Sequence, residues 1–419
     1  MSMRSATQEK KLFLCILYLK HRIACFPSSI FHSQKRRDAP ENGDWGQRSK
    51  DQGLDQHKAQ DRAAKDGDGH RQQRKETAPR GVCLTMCPAS ELRLRELQNR
   101  LHRFEMITGT EKVRRPRGDP LRAVKEYSRP AAGKDSTNPS DLRPSGVLLK
   151  TVCYLIDDIV ASNHLYPWTE VYSFVFDRLR SVKQDMIIQR IPGLTRVAIL
   201  ERMVRFLIYA SYRLCGEPLW MYDPCINDTH LQENLSRLLF CYATETGPHP
   251  NQEEFQALGL LYNLGSAQAT QHIIELPEQL RSSPAIALAL SVNRAFLERN
   301  PVCLLRLAQQ LDFLQSCALH RHLVACRRDL LLIYSYGYSN RNCRFPLDRL
   351  AQLLSLDASL TAQLCQAYGL EVSQDGKVVF AKASFTEPEQ GPLHCKRYHG
   401  LVAEKQRDLA IGNILQGHP

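Results

Sequence analysis

Cys83 and Cys87 flank Leu84-Thr85-Met86, and two thiols this close are the first residues in the chain that could do chemistry. Zinc wants four ligands in a tetrahedron, commonly drawn from two close pairs. The second pair would have to be Cys395 with His394 or His399, far along the chain. A cysteine nucleophile needs a base beside it, and no local base accompanies these thiols. They read as small packing residues. No phosphate-cradling loop of the GxxxxGKS or GxxxxGKT type occurs, no GxGxxG follows a strand, and GxSxG and HExxH are missing. The expectation is a non-enzyme with no cofactor, no metal and no small-molecule substrate.

Two further groups of residues carry charge in a pattern. Arg341, Arg344, Arg349, Lys377 and Lys382 lie close in sequence and are candidate contacts to nucleic-acid phosphates. Base reading is disfavoured, because the helix expected over Ser359–Tyr368 has no Lys or Arg and offers only Gln363 and Gln366. A third use of this region would be protein pairing through Val378–Phe380 as an edge strand. Upstream, advancing about 100° per residue from Val171 puts Val175, Leu179, Val182 and Met186 on one apolar face. Ser173, Asp177, Arg180 and Gln184 form an exposed face on the same wheel. Arg178 and Asp185 flank or enter the apolar stripe, so they read as structural seam residues that each need a partner from another segment.

These residues must be held by helices. Apolar residues at three-and-four spacing predict Val147–Asn163, Trp168–Gln189, Thr195–Cys215, Thr229–Thr244, Asn251–Leu264, Ala267–Leu280, Pro284–Glu298, Pro301–Ser316 and Ala318–Tyr336. Proline and glycine separate most of them. A helix starting at Pro88 is expected to run through Leu92, Leu97 and Phe104. After Phe345-Pro346 a helix through Leu354 is expected, then a second one capped by Asp357 or Ser359. Leu370–Val372 and Val378–Phe380 follow, joined across Asp375-Gly376 in a β-hairpin. The fold class is mainly α: a helical-repeat solenoid of PCI or TPR rhythm, closed by a winged helix with its β-hairpin.

Domain limits follow from composition. Residues 1–80 read as a disordered basic tail, 81–145 as a motif-bearing segment, 146–338 as the helical body, 339–385 as the winged helix and 386–419 as a C-terminal tail. The tail holds 17 Lys and Arg against 10 Asp and Glu, leaving 39 against 34 for the rest, so the folded part is only mildly basic. Leu12–Leu19 is an apolar run that imitates a signal sequence, but Lys20, His21 and Arg22 follow it at once. No stretch reaches the roughly 18 apolar residues of a spanning helix, so no membrane partner is expected. The 14 cysteines are scattered, as in a reduced compartment.

Several blocks together resemble the Sac-three/GANP family: Gly81-Val-Cys-Leu-Thr-Met-Cys-Pro88 with Glu91 and Arg95, Phe104-Glu105, Val124–Arg129, Leu142-Arg-Pro144 and Phe174–Asp185. The resemblance implies a helical-repeat scaffold ending in a winged helix. It implies a PCI-domain protein as partner, joined by a small acidic peptide of the kind found in the proteasome lid. It also implies that paired winged helices form a platform for non-specific RNA or DNA contact. For this chain it points to centrosome duplication, spindle assembly and mitotic progression, in the cytoplasm at centrosome and spindle. The alternative it leaves is a nuclear, PCI-partnered, RNA-binding subunit of an mRNA-export complex.

Overall fold

The computed structural model describes residues 78–129, 138–162, 166–340, 342–388 and 400–418. The run at Leu12–Leu19, nearly all of the expected basic tail, Arg341, His394, Cys395 and His399 lie outside the described residues.

Ala89–Leu97 forms α1, entered from Pro88, and a 3-10 turn follows at Arg103–Glu105. The helix expected to continue to Phe104 stops at Leu97, and Asn99 takes a left-handed backbone. Ser145–Tyr154 is α2, continuing into a wide π-helical turn over Leu155–Val160. Then come α3 (Trp168–Ile188), α4 (Gly193–Arg213), α5 (Pro224–Thr244) and α6 (Gln252–Tyr262). Ala267–Ile274 (α7) and the short Glu278–Arg281 (α8) replace one expected helix, because Pro277 breaks it. Pro284–Leu297 is α9, Pro301–Ala308 is α10 and Phe313–Gly337 is α11. Neighbours in sequence pack on each other, α4 on α5, α9 on α10 and α10 on α11, while α11 also lies along α4 and α6.

The boundary between α10 and α11 differs from the one the periodicity predicts at residue 317. Asp312 accepts the amide of Gln315 at 2.8 Å, and the Gln315 side chain takes the Asp312 amide at 3.2 Å. This reciprocal cap starts α11 five residues early. Asp312→Ala is expected to cost about 1 kcal/mol, read as a lower Tm.

The end module has one more strand than expected. Arg344–Pro346 (β1) leads into α12 (Leu347–Leu354) and α13 (Ala358–Ala367, capped by Asp357), then Glu371–Val372 (β2) and Lys377–Val379 (β3). The sheet order is β1-β3-β2, antiparallel throughout, with Phe345 opposite Val378 and Val372 also opposite Val378. β3 is therefore central, with both sides taken. Val378–Phe380 as a free edge for a partner is corrected: β1, hidden from pattern reading by its three-residue length, occupies that edge. Phe345 and Phe380 pack against Tyr334 of α11 and Tyr338 just after it. The buried Arg327 of α11 donates to Leu354 O at 2.9 Å, holding the end of α12.

Residues 386–419, expected as a tail, are in their described part a docked segment. Leu401, Val402 and Leu415 join the same core as Met86, Val124 and Phe380. Lys405 Nζ donates to Ala308 O, Leu311 O and Ser316 Oγ at 2.7–2.8 Å. The last helix, α14 (Ile411–Gln416), lies on the π-helical turn and α4. Apolar side chains at 401, 402 and 415 are too sparse to register as a periodic pattern, yet each finds a core position.

Candidate functional site

The five blocks that carry the family resemblance meet at one place, on α3. Gly81 opens the assembly: its amide donates to Gln189 Oε1 at 2.8 Å, and any Cβ there would lie 2.3 Å from Leu142 O. Val82 and Cys83 bond the backbone of Pro139 and Leu142, and Lys125 N bonds Met86 O. Extended strands of chain are thus laid against each other and against α3, with no regular sheet.

Charge fixes this packing. Glu105 is fully buried, and its Oε2 accepts Arg95 Nη1 at 2.7 Å and Arg178 Nη2 at 3.0 Å. Its Oε1 takes the Val124 amide at 2.9 Å. Burial pushes the Glu105 carboxyl up, but Arg178, Arg95 and that amide outweigh it and hold it below the usual carboxylate range. Glu126 lies 3.6 Å from Arg95 and 3.5 Å from Arg178, and Arg178 also pairs with Asp177. The Arg178 guanidinium stands 4.7 Å from the Phe174 ring centre. A second cluster centres on Asp185, also fully buried, which accepts Arg143 Nε and Lys125 Nζ, each at 2.8 Å. Arg143, itself fully buried, reaches on to Ser181 Oγ and Met86 O. The two clusters pin the segment 81–145 to the body.

The sequence missed these partners. Glu105 and Arg143 stand inside apolar words, Phe104-Glu105 and Leu142-Arg143-Pro144; a charge in such a setting is the signal that could have paired them with Arg178 and Asp185. The face of α3 read as exposed is partly covered. Arg180 lies 3.8 Å over the Tyr127 ring, and Gln184 donates to Ser128 O. Arg178→Ala is expected to cost about 1–3 kcal/mol by taking one of its two guanidiniums from the buried Glu105 carboxylate. Arg180→Ala removes an outer cation–π contact of about 0.5–1 kcal/mol. Equal melting temperatures would contradict this ordering.

The cysteines of the first block are packed. Burial and Glu91 push the Cys87 thiol up to about 12 against the pull of Arg95, whose Nη2 donates to its Sγ at 3.2 Å. Cys83 Sγ donates to Thr85 O. Among the described residues no three His, Cys, Asp or Glu converge as a metal site, and no helix is long and apolar enough to cross a membrane.

Of the candidate phosphate contacts, Arg344 and Lys377 come together across β1 and β3, where both face Asp375 at 3.8 and 3.0 Å. Hydrogen bonds from Ser373 and Lys377 hold the Asp375 carboxyl down at about 2. Arg349 is exposed on α12 and donates to Gln352, while Lys382 lies 4.7 Å from the Tyr336 ring centre. Among the described candidates the geometry brings together only the Arg344–Lys377 pair, half neutralised by Asp375.

Comparison with known proteins agrees with the block pattern. The SAC3/GANP family model matches residues 86–374. Protein xmas of Drosophila melanogaster is 28% identical over 359 residues, 82% of this chain and 17% of that protein. SAC3 family protein 1 of Schizosaccharomyces pombe is 28% identical over 364 residues, 80% of this chain and 35% of that protein. SAC3 family protein B of Arabidopsis thaliana is 24% identical over 308 residues, 70% of this chain and 18% of that protein. The chain thus spans about a sixth to a third of the length of these relatives. With the match covering more than half of its residues, the chain belongs to the SAC3/GANP family.

Proposed function

We propose that this chain is a non-catalytic scaffold that holds protein partners and serves centrosome duplication, spindle assembly and mitotic progression. The observation that carries the scaffold reading is the use of its buried charge. Glu105, Arg95, Arg178, Arg143 and Asp185 are spent on one another inside the fold, locking extended segments onto α3 and not facing a cleft. The mitotic setting rests on the resemblance described from the sequence. Clean depletion in dividing cells is expected to change centrosome number or spindle-pole number. Normal poles after depletion would remove the mitotic reading and leave the scaffold.

A second setting is favoured by the end module. Its order of strand, two helices and two strands fits a winged helix, and the stacked helices before it fit a PCI-type body. In that reading the module pairs with a PCI-domain protein and its acidic peptide, in the nucleus, and Arg344, Arg349, Lys377 and Lys382 touch RNA phosphates within an export complex. RNA crosslinks at Lys377 in the presence of such a partner would support it; none, with the partner bound, would remove it.

A further inference from the structure

The motif-bearing segment carries a basic turn that the ion clusters do not use. Residues 107–117 leave and return through the paired backbones of Met106 and Gly118, closed by Ile107 N to Arg117 O at 2.9 Å. Inside the turn Thr110 Oγ1 donates to Ile107 O at 2.7 Å. Lys112, Arg114, Arg115 and Arg117 are all exposed, and no ion pair among the described residues holds any of them. The local acids are spoken for. Glu111 folds back to accept the Gly109 amide at 2.9 Å, Glu96 accepts the Gly118 amide at 2.7 Å, and Asp119 accepts the Leu121 amide at 2.9 Å. The turn therefore presents four cations against one carboxylate on an ordered frame.

At the foot of this turn opens a cleft of about 520 Å³ lined by Leu101, His102, Arg103, Met106, Glu111, Tyr166 and Glu170. Tyr166 is 36% exposed, and the Phe104 ring packs against it at 5.2 Å between centres and a steep angle. Arg103 lies over the Tyr166 ring, 5.3 Å from its centre, and pairs with Glu170 at 2.9 Å, while the cleft's other acid, Glu111, is turned to the Gly109 amide. Burial pulls His102 down to about 4, so it adds no charge at neutral pH. Aliphatic walls, a part-exposed aromatic ring already paired with a guanidinium, and adjoining unpaired cations make a stacking platform next to a phosphate track.

We propose that this turn and cleft bind single-stranded nucleic acid, with phosphates along Lys112, Arg114, Arg115 and Arg117 and one unpaired base against Tyr166. A segment of acidic residues alone would satisfy the cations but leave the ring and its aliphatic walls unused. A duplex would offer no free base. The site lies on the segment docked to α3, and none of its residues belongs to the end module, so it stands or falls apart from the winged-helix reading.

The test is fluorescence anisotropy on the full chain, with labelled oligo-uridine and oligo-thymidine of about fifteen nucleotides. Salt is varied between about 50 and 200 mM. The variant Lys112→Gln/Arg114→Gln/Arg115→Gln/Arg117→Gln is expected to lose tenfold or more in affinity. Its log–log salt slope should fall by about 2–3, as for three or four phosphates lost from a single strand. Tyr166→Ala should weaken binding fivefold or more with the slope unchanged, because stacking carries no counterion release. Arg344→Gln/Lys377→Gln should leave the remaining dependence on the turn intact. Stronger binding of the uridine strand would name RNA as the ligand, and equal binding would name either strand. No binding by the wild-type chain at low salt, or an unchanged slope in the four-residue variant, would overturn the proposal. So would displacement of the oligonucleotide by a poly-glutamate of equal length at equal concentration, which would assign the turn to acidic protein segments.

Discussion

Glu105→Ala is expected to destabilise the folded chain by about 3–5 kcal/mol. The carboxylate is the shared acceptor of two guanidiniums, Arg95 fully buried and Arg178 nearly so. Removing it leaves two positive charges facing each other in a dry site, with Glu91, Glu126 and Asp177 at the margin as their remaining acids. The loss is a large fraction of the ~5–15 kcal/mol that holds a domain together. Thermal unfolding measures it. Glu105→Gln separates charge from volume, since the amide keeps an acceptor toward Val124 N while giving up the ion pairs. The pH dependence has a definite sign. The folded carboxyl sits below its unfolded value, so its stabilisation is present above the ordinary glutamate pKa of about 4.3 and is lost as pH falls through the folded pKa. The Tm gap between wild type and Glu105→Gln should therefore narrow below about pH 4. A gap that is constant from neutral pH into acid would show that the carboxylate's charge is not what the fold uses.

Much of this site was half visible in the sequence, and the halves divide by range. The helical wheel placed Arg178 and Asp185 beside the apolar stripe of α3, because helix phase is local and regular. It gave no hint of who meets them. Glu105 stands 73 residues before Arg178, in a single 3-10 turn, and Arg143 stands 42 before Asp185, on chain outside any helix, so neither has a period to read. The same lack of period explains why Arg180 and Gln184 were placed in solvent: the cover over them, Tyr127 and Ser128, is irregular backbone. In the end module the two helices and the Asp375-Gly376 turn follow from capping and turn chemistry, whereas β1 is three residues long and ends in a proline that reads as a helix start. The start of α11 was missed for a different reason. Apolar spacing runs on through Leu311 and Phe313, and only the Asp312–Gln315 cap marks the break. The docked segment 400–418 shows the limit of composition arguments: Lys405 is charged, yet it ends among carbonyls, and burial pulls its ammonium down to about 8.

Asp185→Asn should be as costly as the loss of Glu105, about 3–5 kcal/mol, and should act on a different part of the molecule. An asparagine oxygen can still accept from Arg143 Nε. Its amide, however, turns two donors toward Lys125 Nζ, which lies 2.8 Å from the present carboxylate. Arg143 has no exposure through which to recover water, and it also supports Met86 O and Ser181 Oγ. The strain therefore passes to the backbone that Arg143 and Lys125 hold, namely the first block and the Val124–Tyr127 stretch. Hydrogen exchange is expected to show lost protection at Cys83 and Lys125 amides while α5 and α6, which touch neither cluster, keep theirs. Adding Arg143→Met should recover part of the loss, because it removes the orphaned charge along with its partner. The double variant should thus be more stable than the sum of the single changes predicts, by about 1–3 kcal/mol. Strict additivity would mean that Arg143 and Asp185 contribute separately, and the pinning of residues 81–145 through their pairing would have to be abandoned.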